Sequence, residues 1–172
     1  MIDLQDRTII GNPNPDFVYG INLELSYKNL SLRVLANGVY GNDIANGNLL
    51  QLATPEGISW SNITTAAYNN AWRPERTSNS YPRIGYTTNG QIAMPDWIIE
   101  DGSFLRISNI NLSNQFDRIN IYLSAQNLFT FTGYSGYNPE VTSFLYDGLR
   151  NGVDWNGQPS ARKFTIGLNF NL

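Results

Sequence analysis

Residues 162–172, Arg-Lys-Phe-Thr-Ile-Gly-Leu-Asn-Phe-Asn-Leu, alternate between apolar and non-apolar side chains. Strand side chains point to opposite faces with period two. Phe164, Ile166, Leu168, Phe170 and Leu172 therefore share one face, and Lys163, Thr165, Gly167, Asn169 and Asn171 the other. The pattern recurs upstream. Phe17, Tyr19, Ile21, Leu23, Leu25 and Tyr27 alternate with Val18, Gly20, Asn22, Glu24 and Ser26, and a tight turn at Lys28-Asn29 follows. Leu30, Leu32, Val34, Ala36, Gly38 and Tyr40 then resume the apolar face. Residues 104–116 change phase: Leu105 and Ile107 have one parity and Ile110 and Leu112 the other, so either a β-bulge near Ser108-Asn109 repairs the phase or the upper half of the strand stands above a membrane. A second tight turn, Asp117-Arg118, leads to Ile119, Ile121, Leu123, Ala125, Phe129 and Phe131, with Asn127 the exception. Five strands are predicted, over 17–27, 30–40, 104–116, 119–131 and 162–172, forming two hairpins and a final strand.

The connections alternate between short and long. Residues 41–103 and 132–161 are long polar stretches, the first with short helices expected over 42–52 and 61–71 and prolines at 55, 74, 82 and 95. Such excursions are foreign to a compact soluble domain. They are expected on the extracellular side of an outer-membrane barrel, whose periplasmic turns are short. A strand of this length, tilted by roughly 40°, spans the hydrocarbon layer. Ile21, Leu23, Leu25, Leu32, Val34, Ile121, Leu123, Ile166 and Leu168 would then face lipid. Aromatics band both ends of that face: Phe17, Tyr19, Tyr40, Phe129, Phe131 and Phe164 at the outer end, Tyr27, Phe116 and Phe170 at the inner. In this orientation both long loops and residues 1–16 are extracellular, and the two turns and Leu172 periplasmic. Five strands leave two raw edges, and an unpaired backbone group in lipid costs several kcal/mol. The strands are thus expected to be part of a larger barrel.

Composition narrows this picture without deciding it. Charged residues make up 15% and aromatics 13%, ten of them Tyr. That suits a barrel with a polar lumen and aromatic girdles, and equally a secreted carbohydrate-binding sandwich. A net charge of −3 argues against a nucleic-acid partner. Cys and His are absent, which removes thiol chemistry and the commonest general base and metal ligand. No cofactor is expected. No apolar run is long enough for a membrane helix, and the polar N-terminus lacks a signal-peptide core. The expectation is that the export signal lies elsewhere, either because this is a piece of a longer polypeptide or because Met1 is not the biological start.

At this point the residues resemble a known family. Residues 6–17 (Asp-Arg-Thr-Ile-Ile-Gly-Asn-Pro-Asn-Pro-Asp-Phe), 71–75 (Ala-Trp-Arg-Pro-Glu), 101–112 (Asp-Gly-Ser-Phe-Leu-Arg-Ile-Ser-Asn-Ile-Asn-Leu), 124–140 (Ser-Ala-Gln-Asn-Leu-Phe through Tyr-Asn-Pro-Glu) and the terminal Phe-Thr-Ile-Gly-Leu-Asn-Phe carry the likeness, in order. The chain resembles the C-terminal end of SusC/RagA-type TonB-dependent outer-membrane receptors of Bacteroidota. The resemblance implies an all-β fold: the C-terminal five strands of a large, roughly 22-stranded antiparallel transmembrane β-barrel with long extracellular loops. It also implies nutrient import, of a glycan or oligosaccharide or a peptide, as part of a SusCD-like transporter. The implied partners are the rest of the barrel and plug, a SusD-like surface lipoprotein, TonB-ExbB-ExbD, the barrel-assembly machinery and the membrane lipid. The plug domain lies outside this chain. The family's assembly signal matches at Thr165, Gly167, Phe170 and Leu172, with Leu172 where an aromatic is usual.

Trp97, Tyr134, Tyr137 and Trp155 are the candidate contacts for substrate or lid, since exposed aromatics bring large apolar area at little entropic cost. The plainer expectation for each is to pack the loops on one another. Glu24, Lys28 and Arg33 fall on the lumen face, where a solvated wall is the default and a plug contact the alternative. Asp3 and Asp6 are too few oxygens for a hard cation, so no metal is expected. Carboxylate sets such as Asp96, Glu100 and Asp101, or Glu140, Asp147 and Asp154, lack the raised-pKa pocket of a glycosidase. No enzyme activity is expected. The rival reading is a secreted β-sandwich carbohydrate-binding module, which would be soluble without detergent.

Overall fold

The computed structural model describes residues 7–53, 62–77, 81, 83–84, 94–140 and 151–170. One five-stranded antiparallel sheet dominates it, built from β1 (Phe17–Tyr27), β2 (Leu30–Tyr40), β5 (Phe104–Phe116), β6 (Ile119–Thr132) and β8 (Lys163–Phe170), in the order β1-β2-β5-β6-β8. A smaller sheet at its loop end joins β3 (Asp43–Asn46) to β4 (Ile99–Asp101) and β7 (Val153–Asp154). Two short helices, α1 (Gly47–Ala53) and α2 (Thr65–Asn70), complete that end. β1, β2 and β5 span 17–27, 30–40 and 104–116, β6 runs one residue past the expected 119–131, and β8 covers Lys163–Phe170 of the expected 162–172, whose residues 171–172 lie outside the described residues.

The hairpins are set by their turns. Lys28 and Asp117, the first residue of each tight turn, sit in the left-handed region at φ 54° and 44°. That conformation costs a non-glycine residue about 1–2 kcal/mol, and the strand twist at the turn rewards it. The β2–β5 register slips between Leu35 and Ala36, making Ser108 the extra residue of the expected bulge. A second irregularity lies in β6: Ile107 faces Phe129 while Asn109 faces Gln126. Asn127, the exception in the alternation, takes φ 52° there, and its Nδ2 donates to the Ala161 carbonyl at 3.1 Å. Asn tolerates this backbone region better than most residues.

With both bulges in place, the apolar side chains form unbroken rows. Leu25, Leu32, Leu112, Leu123 and Ile166 stand side by side across all five strands. Among the described residues nothing covers them: Leu123 is 51% exposed and Ile166 78%. A sandwich would lay a second sheet on this face, and the small sheet lies elsewhere. The sandwich reading therefore fails on architecture.

The packed core lies instead at the loop end, around Ile44, Ala45, Ala53, Ala67, Ala71, Ile98, Phe104 and Tyr134. The helix expected over 42–52 begins only at Gly47, because Asp43, Ile44 and Ala45 pair with Asp101, Glu100 and Ile99 as β3. Asn46 caps α1 by accepting the Leu49 N–H at 3.1 Å, and Thr64 caps α2 by accepting that of Ala67 at 3.1 Å.

Candidate functional site

The chemistry-bearing residues gather where the long loops leave the sheet. Segments that the sequence marks separately meet there. The Asn12-Pro-Asn-Pro-Asp16 run lies along β3: Asn12 N–H donates to Asp43 Oδ2 at 2.7 Å, and Asp43 N–H donates to the Asn12 carbonyl at 2.8 Å. Pro13 packs over Gly152, whose φ of 72° admits no side chain without strain.

Two polar networks hold this end together. In the first, Asn46 Nδ2 donates to Glu100 Oε1 at 2.8 Å, Ser135 Oγ donates to the same oxygen at 2.8 Å, and Ser135 N–H donates to Oε2 at 2.7 Å. Beside it the Tyr134 hydroxyl donates to Asp154 Oδ2 at 2.6 Å, and Gly157 N–H reaches the other oxygen at 3.0 Å. Asp154 is 0% exposed. Burial pushes the Tyr134 hydroxyl far above the ordinary tyrosine range, and its bond to Asp154 and the charges of Asp154 and Glu100 push the same way.

In the second network Arg106, 5% exposed, reaches inward from β5. Its Nη1 pairs with Glu140, Nε donates to Thr130 Oγ1 at 3.0 Å, and Nη2 donates to Asn138 Oδ1 at 2.6 Å. Asn37 Nδ2 donates to the second Glu140 oxygen at 3.0 Å, and Ser108 donates to Asn37. The Asn138-Pro-Glu140 run is thereby pinned to β2, β5 and β6.

The four candidate aromatics do not form one platform. Tyr134 is buried in the first network. Trp97 is half-buried with its ring tilted against Tyr81 at 6.0 Å. Trp155 lies against Gly47, where a Cβ would run into its ring, and keeps an exposed edge. Tyr137 stands 74% exposed. The carboxylates considered for catalysis are structural acceptors: Glu100, Glu140 and Asp154 as above, and Asp101 for the Ser103 N–H at 2.8 Å. Asp96 opens the 3-10 turn Asp96–Ile98, and Asp147 lies outside the described residues.

Down the polar face, Arg33 and Glu24 form an exposed ion pair at 3.1 Å. With Ser31, Asn111 and Ser113 they line a shallow polar basin of about 240 Å³. Lys28 turns its Nζ over the Tyr27 ring, 5.4 Å from the centroid. On the opposite face Ile21, Leu23, Leu25, Ile121, Leu123, Ile166 and Leu168 are exposed, and Leu32 and Val34 partly so. Thr165 and Gly167 of the expected assembly signal sit opposite Ser124 and Tyr122, whose ring lies over Gly167. Phe170 pairs with Ile119 on the apolar face. Leu172, Asp3 and Asp6 lie outside the described residues. Among the described residues no group of carboxylates is placed to hold a metal, and no helix is long and apolar enough to cross a membrane.

A single-layer antiparallel wall with one apolar and one polar face is the architecture of a barrel wall. The solved structures it matches are barrels of that kind. It superposes on the RagAB peptide importer in its "open-open" state with TM-score 0.76 at 23% identity, covering 95% of this chain and 18% of that one. The "closed-closed" state gives 0.75 at 24% identity. In sequence the chain is similar to TonB-dependent receptor P3 of Formosa agariphila, 34% identical over 98% of this chain and 17% of the relative. It is also similar to TonB-dependent receptor SusC of Bacteroides thetaiotaomicron, 30% identical over 97% of this chain and 16% of the relative. No family model matches. Sequence and fold alike place the chain with the SusC/RagA-type TonB-dependent receptors, as a segment of the barrel. It spans about a sixth of the length of these curated relatives, which are receptors and not enzymes.

Proposed function

We propose that the chain forms the last five strands of an outer-membrane TonB-dependent importer that takes up a glycan, oligosaccharide or peptide. The observation that carries this is the uncovered apolar face, continuous across five strands and backed by a polar one. A contiguous apolar patch of that size has no place on a soluble monomer, and lipid is the solvent it fits. The two tight turns and the end of β8 face the periplasm, and the long loops face outward. Ile21, Leu23, Leu25, Leu32, Val34, Ile121, Leu123, Ile166 and Leu168 contact lipid, and the free edges of β1 and β8 pair with strands of the remaining barrel. Thr165, Gly167, Phe170 and Leu172 form the assembly signal.

A SusD-like lipoprotein covers the mouth, by analogy with the SusC and RagAB proteins that the chain matches, and Tyr137, Trp155 and Trp97 are the contacts we put forward for lid or substrate. Energy from TonB-ExbB-ExbD enters through parts of the receptor outside this chain. The test is the intact mass of the native polypeptide extracted from outer membranes in mild detergent, with its partners. A chain several times heavier than 19.3 kDa, with a lipoprotein bound, is expected. A freely soluble 19.3 kDa species overturns the reading.

A further inference from the structure

We propose that Gly133–Glu140 is a strap buckled at both ends, which locks the loop-end sheet β3–β4–β7 to the wall formed by β2, β5 and β6. Its first buckle is on the small sheet: Tyr134 holds Asp154 of β7, and Ser135 holds Glu100 of β4, which in turn holds Asn46 of β3. Its second buckle is on the wall: Glu140 and Asn138 hold Arg106 of β5, which also binds Thr130 of β6, while Glu140 accepts from Asn37 of β2. Only four residues lie between the anchor points Ser135 and Glu140. So short a segment, fixed at both ends, leaves little slack between the bodies it joins.

Both buckles are expensive to open. Separating Arg106 from Glu140 leaves a buried guanidinium without its counter-charge, and separating Tyr134 from Asp154 leaves a carboxylate with no solvent access only the Gly157 N–H. β3, β4 and β7 share no ladder with the long strands, and the backbone joins the two bodies through the two-residue links Gly41-Asn42 and Gly102-Ser103, with Gly102 N–H donating to the Asn42 carbonyl at 2.8 Å. The side chains of the strap add a second connection, away from those links. The strap therefore makes cap and wall move as one, and its opening frees the cap without unfolding the wall.

The experiment is hydrogen exchange read by mass spectrometry on the native, detergent-solubilised protein that carries this chain. Glu140→Gln should speed exchange at least ten-fold in 133–140 and also in β3, β4 and β7, with β1, β2, β5 and β6 unchanged. The charge-exchanged pair Arg106→Glu with Glu140→Arg should bring exchange back toward the parent. Tyr134→Phe opens the strap from its other end and should release the same segments. Release confined to 138–140 in the first variant, or to residues beside 134 in the last, means two independent anchors and overturns the proposal. Faster exchange through all the long strands means a general loss of stability and overturns it too.

Discussion

The long sheet and the loop end invert one another. In the sheet, leucines and isoleucines are exposed in rows, and its few buried residues include Arg106 and Ser124. At the loop end, Ile44 and Ile98 are each 1% exposed, packed beside a fully buried Asp154 and a buried Asn46. The difference teaches which solvent each part is built for. Loops that must stand in water need their own core and satisfied polar groups. A wall that meets lipid needs only its backbone hydrogen bonds closed and its outward side chains apolar.

The sharpest way to break the comparison is a cavity in the loop-end core. Ile44→Ala should cost about 2–5 kcal/mol of local stability. Hydrogen exchange of β3 and β4 should report it, while β1, β2 and β8 stay protected. Next comes Leu123→Lys, within the exposed row between Leu112 and Ile166. In a bilayer it should destabilise the barrel by about 2–4 kcal/mol, measured by urea unfolding in liposomes. On a water-facing surface the same change would stay within about 0.5 kcal/mol, so a small effect would refute the lipid assignment.

Tyr134→Phe removes one buried bond to a carboxylate and should cost about 1–3 kcal/mol at the loop end. Alkaline pH gives the same contact a second test. The folded-state pKa of Tyr134 is raised above its ordinary 10.0. Its contribution is therefore complete below pH 10 and falls as pH rises beyond it, where the unfolded chain loses the phenolic proton and the folded one keeps it. Loop-end protection should fall above pH 10 in the parent, and that component should vanish in Tyr134→Phe. The smallest effect is expected from Glu24→Gln, which breaks an exposed ion pair and should change stability by less than about 1 kcal/mol. A larger loss would mean that the polar basin is covered by another part of the receptor.

Much of the wall was legible in the sequence, and the loop end hardly at all. The bulge at Ser108 could be read as one of two explanations of an apolar face that changes parity within one strand, and the β2–β5 register chose it. The bulge at Asn127 could not: the parity of β6 is kept across it, leaving one polar residue out of place as the sole sign. Trp97, Tyr134, Tyr137 and Trp155 looked alike as loop aromatics, yet Tyr134 is a buried donor and Tyr137 is open to solvent. Arg106 and Glu140 lay inside the segments that carry the family resemblance, but 34 residues of sequence separate them and no local spacing pairs them.

What the sequence determined by itself was periodic: strand positions, both turns, which face is apolar and the need for further strands. Period two is a local property, because each side chain's face follows from its neighbour's. What only the tertiary structure decided was the loop-end sheet, the strap and the partners of Arg106, Glu100 and Asp154. Those contacts join segments distant along the chain, and the burial that makes them strong exists only once the loops have folded together.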